Sequence, residues 1–306
     1  MKLVLILAFL TSLLLALFLW LRPVIGSRGT PTLPNVAGRP SKPVAEASAG
    51  GSVSQTPPDS TIGPAVPRPG PSDAAQAGVT HSDELEAAIL DLVNAERAKA
   101  RPIPLQPLQL DTTLQTTARG HCDDMFVRNY FSHDDPDGFS MTDRIAQAHR
   151  QLIGLTGENI WMGVDDLSDQ KKTAASIVTN LMQSTSHREN ILNEHYTHIG
   201  VGVAIKGRDV KATQNFANIV ALTKQAVPLQ LHGGESLDLT AQPVGEEGSP
   251  DRFEFFSSDE GMAVGGSQSI AGASVPGPKD VPAGIYKLRF IFPKGSAYWG
   301  PRVEVK

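Results

Sequence analysis

The stretch whose reading decides the fold is "STSHRENILNEHYTHIGVGVA", residues 184 to 204. Its first half has the polar, turn-rich look of a connection. From Ile199 it changes to "IGVGVAI", and "TQNFANIVAL" follows from Thr213, two apolar runs that can pair as a hairpin around Gly207. Upstream the pattern is helical. "HSDELEAAILDLVNAERAKARP" places Leu85, Ile89, Leu92 and Val93 on one face, with Asp83 and Glu86 at capping-box spacing and Pro102 and Pro104 ending the helix. A second helix fits "DTTLQTTARGHCDDMFVRN" with Asp111 as its cap, and a shorter one fits "SMTDRIAQAHR". A fourth runs from about Asp169 to Gln183, with Ala174, Ile177, Val178 and Leu181 inward. Helices therefore precede strands, which predicts an α+β domain over residues 81–225.

Beyond residue 226 the helical period disappears. "SLDLTAQ", "RFEFFSS", "YKLRFIF" and "PRVEVK" alternate with a period of two between Gly, Pro and Asp, which predicts a small all-β sandwich over 226–306 as a separate accessory domain. Tyr298 and Trp299 in that region read either as aromatic core or as an exposed pair for stacking on a carbohydrate, core being the commoner use.

Two segments precede the folded part. Leu3 to Leu21 carries no charge, and as a helix it would span ~28 Å against a hydrocarbon core of about 30 Å. Residues 1–26 are thus expected to be a transmembrane signal anchor. A cleaved signal peptide is the competing reading, though "LRPVIGSRGT" makes a poor cleavage site. Residues 27–80, rich in Pro, Gly, Ser and Ala, are expected to be a disordered tether, since they cannot bury enough apolar surface to offset chain entropy.

The net charge of -5 supplies no basic footprint for nucleic acid. The only cysteine, Cys122, falls at helical spacing with Leu114, Ala118 and Met125 and reads as a buried core thiol. Chemistry is concentrated between Tyr130 and His198. "YFSHDDPDG" presents His133 beside Asp134, Asp135 and Asp137, "TGENIWMG" presents Glu158, "STSHRENIL" presents His187, and "HYTH" presents His195 and His198. The first three groups sit in connections, where functional side chains concentrate, whereas the surroundings of His195 and His198 read as a solvated turn. The acidic loop lacks the spacing of an EF-hand, so calcium is not expected.

"LVNAERAKARPIPLQPLQLDTTL", "YFSHDDPDG", "GENIWMG", "SHRENILNEHYTHIGVGVA" and "TQNFA" occur in an order and at spacings that resemble the bacterial branch of the CAP superfamily, the SCP-like domains related to cysteine-rich secretory proteins, antigen 5 and plant pathogenesis-related proteins. The likeness covers about residues 82–224. It implies an α-β-α sandwich with a central cleft lined by two histidines and acidic groups, which carry over onto His133, Glu158 and His187. His187 is chosen because it lies twelve residues before Ile199, as the family's cleft histidine precedes its strand. Gln183 and Ser184 stand where eukaryotic members carry a second glutamate, and "STSHR" replaces the bacterial "SPGHR".

These readings lead to a non-enzymatic, extracytoplasmic CAP-like module, membrane-anchored or secreted. It needs no cofactor and binds a lipid, a small apolar molecule or a cell-wall component in the His133, Glu158, His187 cleft. The basic residues Arg22, Arg28, Arg39 and Lys42 after the apolar segment argue for the opposite topology, but tether and head together favour the outside. Two alternatives stand beside it. One is a hydrolase or peptidase with zinc on His133, His187 and Glu158, a ligand set that suits the ion. The other is an envelope spacer with a vestigial cleft.

Overall fold

The computed structural model describes residues 71–257, 261–276 and 279–306. The anchor expected at 1–26 and the tether up to residue 70 lie outside the described residues. Among the described residues no helix is long and apolar enough to cross a membrane.

Residues 71–80, assigned to the tether, instead pack against the domain, which corrects that part of the expectation. Helix α1 (Pro71–Gln76) begins with proline and is followed by Gly78 at φ +74°, the usual punctuation of a short helix. Ala74 and Val79 are buried with Cys122, Met125, Ile160 and Ala204, and Thr80 bridges Ile205. Two apolar side chains and a strand bridge are what the Pro-rich composition concealed.

Helix α2 (Asp83–Ala98) is capped by Ser82, whose hydroxyl accepts from Leu85 N–H at 3.2 Å, rather than by Asp83. Helix α3 (Thr112–Val127) is capped by Asp111 as expected, at 2.8 Å from Leu114 N–H. Helix α4 (Met141–Ala148) carries a capping box between Ser140 and Asp143. Helix α5 (Gln170–Gln183) follows the Asp169 cap, and the short α6 (Thr185–Ile191) holds His187.

The strands are β1 (Gln109–Leu110), β2 (Leu152–Val164), β3 (His198–Lys206), β4 (Asp209–Thr223), β5 (Gln230–Leu231), β6 (Ala241–Pro243), β7 (Arg252–Ser257), β8 (Met262–Ser269), β9 (Gly284–Ile291) and β10 (Ala297–Val305). The hairpin turns at Gly207, with φ +64°, as the sequence predicts. Along β3 the two faces separate cleanly. Ile199, Val201, Val203 and Ile205 pack with Leu85, Ile89 and Val93 of α2, Ile177 and Leu181 of α5 and Ile191 of α6. The opposite face meets α3 at Gly200 and Gly202. A Cβ at Gly200 would lie 2.1 Å from Gln115 N, and one at Gly202 would lie 2.2 Å from Arg119 N. The "GVG" pattern is thus the footprint of a helix backbone lying directly on a strand. With α4 on that same side through Ile145, the sheet has helices on both faces.

The C-terminal strands correct the expectation of a separate sandwich. One sheet runs in the order β1-β3-β4-β2-β10-β9-β7-β8, with β5 on β10 and β6 on β4. Strand β10 pairs antiparallel with β2 through Trp299 and Gly154. Phe253, Phe255, Leu288, Phe290 and Val303 share one core with Ile153, Val220 and Ala221 from the earlier strands. The other side of this core is supplied by Leu237, Leu239, Ala273, Val275 and Val281, none of which lies in a strand. Arg150 fixes the junction by donating to the carbonyls of Val227 at 2.8 Å and Pro228 at 2.7 Å. The physical reason is the free edge of β2, whose backbone groups need partners. Tyr298 and Trp299 are half-buried and pack edge-on to Phe292 and Phe256, at 5.3 and 4.9 Å between centroids.

Candidate functional site

Glu158 lies within β2 and His187 within α6, not in the connections expected for them, and the Glu158 side chain is about 1% exposed. Its Oε1 accepts from His133 Nδ1 at 2.9 Å and its Oε2 from Arg144 Nη2 at 2.8 Å. Asn215, its cross-strand neighbour on β4, completes the shell: with the amide turned to satisfy both sides, Nδ2 donates to Glu158 Oε2 at 3.1 Å and the oxygen accepts from Ala118 N–H at 3.2 Å. His121 Nε2 is 4.0 Å from Oε1. Burial alone would raise the Glu158 pKa, but the His133 hydrogen bond and the charges of Arg144, His121 and His133 outweigh it and hold the carboxyl below its ordinary range.

Arg144 also shapes the loop that carries His133. Its Nη1 donates to the carbonyls of His133 at 2.8 Å and Phe139 at 3.1 Å. The acidic residues of that loop are structural. Asp135 accepts from the backbone of Asp137 at 3.0 Å and Phe139 at 2.8 Å, and Arg128 pairs with Asp124, Asp135 and Asp137. On the other wall, Asn159 Nδ2 donates to the His187 carbonyl at 3.0 Å, and Asn190 Nδ2 donates to the Glu158 carbonyl at 3.1 Å and to Asn159 Oδ1 at 2.9 Å. These bonds join α6 to β2 and fix where His187 stands.

His133 is half-exposed, and His187 is half-buried and close enough to feel its charge; burial first, then His133, lowers the His187 pKa. The remaining candidates separate from this group. His195 is exposed beside Glu194 in the turn after α6. His198 is not in a loop: it opens β3, with Nδ1 2.8 Å from Thr197 Oγ1. Cys122 is buried against Thr213 Oγ1 at 3.1 Å, and burial pushes its thiol up to about 12, so it is no nucleophile at neutral pH.

Both oxygens of Glu158 are therefore committed to Arg144, His133 and Asn215. As arranged, this donor set does not fit zinc, because a guanidinium occupies the carboxylate that would ligate the ion. Among the described residues no three His, Cys, Asp or Glu side chains are arranged to hold a metal. Arg144 and His121 are the functional-site residues that pattern reading passes over. The available signal was a charge on an apolar face: Arg144 sits beside Ile145 on the inner side of α4, and both are buried.

His121 gives a pH prediction. Burial is the main cause of its pKa falling to about 4, from 6.5. The unfolded chain takes up this proton near 6.5 while the native state refuses it until about 4, so stability falls as pH drops through that window. The full loss is ~3 kcal/mol. Urea unfolding from pH 7 to 4.5 should show this slope, and His121→Gln should flatten it; an unchanged slope would remove His121 as the cause.

The sheet thus has helices on both faces and carries a buried acid bonded to His133. Residues 90–216 match the model of CAP, the cysteine-rich secretory protein family, and this part of the chain is a CAP domain. The chain is 39% identical over 122 residues to the uncharacterized protein YkwD of Bacillus subtilis, covering 40% of this chain and 43% of that protein. It is 37% identical over 131 residues to the uncharacterized membrane protein YlbC of the same organism, covering 43% of this chain and 34% of that one. It thus spans less than half the length of either relative. Among solved structures, an extracellular protein containing an SCP domain from Bacillus anthracis aligns at 32% identity and a TM-score of 0.36, covering 44% of this chain and 40% of that one.

Proposed function

We propose that this chain is a non-enzymatic binding module of the cell envelope, holding a CAP domain outside the cytoplasm on the apolar segment Leu3 to Leu21 and a Pro-rich tether. Its ligand is lipid-like or a cell-wall component, taken up beside His133 and His187. The observation that carries this reading is the full commitment of Glu158: a carboxylate held by Arg144, His133 and Asn215 is neither a free base nor a free metal ligand. It stiffens the cleft and leaves the two imidazoles as the groups that meet a ligand. The membrane description of YlbC supports the location.

The test uses the full-length protein with liposomes and with purified peptidoglycan. Binding to one of them, weakened about tenfold in His133→Ala and His187→Ala without loss of fold, supports the module. No binding to either, or release of hydrolysis products from the bound material, defeats it. A reporter fused to the carboxyl terminus should be active outside the cytoplasm only.

A further inference from the structure

Helices α3 and α4 enclose a groove of about 510 Å³ that neither His133 nor His187 lines. We propose that it is a second binding site, for a short neutral N-acetylated oligosaccharide. Three observations carry this. The first is the wall: Thr112, Thr113, Thr116 and Thr117 line the groove from α3. Thr116 and Thr117 donate their hydroxyl protons to the carbonyls of Thr112 and Thr113, at 2.9 and 2.7 Å, which leaves their oxygens as acceptors for a ligand's hydroxyls.

The second is charge. The ionised residues at the deep end are already paired, Asp124 with Arg128 and Arg144 with Glu158. A site with no uncompensated charge does not capture a phosphate or another anion; it suits a neutral polyol. One donor is left unpaired behind this wall, since Arg144, only 7% exposed, lines the groove and its Nε, itself shielded from solvent, has no hydrogen-bond partner. An acetamido carbonyl oxygen is the kind of acceptor that this donor lacks.

The third is Gly120. Glycine is the poorest helix former after proline, yet it occupies an interior position of α3. Its φ is not in the left-handed region, and a Cβ there would meet nothing within 4 Å. Nothing inside the protein requires glycine at this position, and it lines the groove. Its missing side chain keeps the groove open past the threonines. From Thr112 to Gly120 the wall is ~12 Å long, the reach of a short oligosaccharide.

The proposal does not depend on the ligand of the His133 and His187 cleft. The test is titration of the full-length protein with triacetylchitotriose, read by calorimetry or ligand-observed NMR, beside inositol hexakisphosphate as the anionic probe. The trisaccharide should bind. Gly120→Leu should weaken it at least tenfold while raising or preserving the melting temperature, and His187→Ala should leave it unchanged. Absence of trisaccharide binding, binding insensitive to Gly120→Leu, or tighter binding of the hexakisphosphate would overturn the assignment.

Discussion

Arg144→Met is expected to destabilise the domain by about 3–5 kcal/mol, the usual result of removing one partner of a buried ion pair. Methionine fills much of the same volume, so the loss is electrostatic rather than a cavity effect. It leaves Glu158, about 1% exposed, without its guanidinium, and frees the carbonyls of His133 and Phe139. The carboxyl then has every reason to take up a proton, because burial is the largest influence on its pKa and opposes the charged form. Urea denaturation at pH 7 should show the loss, and Glu158→Gln in the same chain should recover part of it. A loss below about 1 kcal/mol would mean that the pair is not what holds the cleft together. The same variant should loosen the His133 loop, which hydrogen exchange at Phe139 would register.

Gly202→Ala is expected to cost about 3 kcal/mol or more, at the upper end for overpacking. The added Cβ would lie 2.2 Å from Arg119 N and 2.4 Å from the Ala118 carbonyl carbon, both backbone atoms of α3 that cannot rotate away. Helix and strand would have to part. The contrast is Gly120→Ala on the same helix, where the new methyl meets nothing and the better helix former should stabilise by about 1 kcal/mol. Denaturation midpoints of the two variants should move in opposite directions. Movement in the same direction would show that the α3 to β3 approach is softer than its distances imply.

Much of the site was legible in the residues. His133, Glu158 and His187 could be picked out from motif order, and the structure bonds Glu158 to His133 and sets His187 near enough to feel the His133 charge, although Glu158 stands on β2 and His187 on α6 rather than in connections. Arg144, His121 and Asn215 were not legible, because no motif marks them and their roles depend on contacts across the fold. Arg144 and Glu158 are brought together only when α4 lies over β2. That contact is what occupies the second carboxylate oxygen of Glu158.

Local periodicity by itself determined the helices from Asp83 to Gln183, the hairpin at Gly207 and the alternation of the C-terminal strands, since those features follow from side-chain spacing along one segment. The tertiary structure alone decided that β10 pairs with β2, making one sheet where two domains were expected, and that residues 71–80 dock on the core. Strand pairing and docking depend on which unsatisfied edges and apolar faces meet after collapse. A linear pattern shows that a strand has an edge, and only the folded chain shows what covers it.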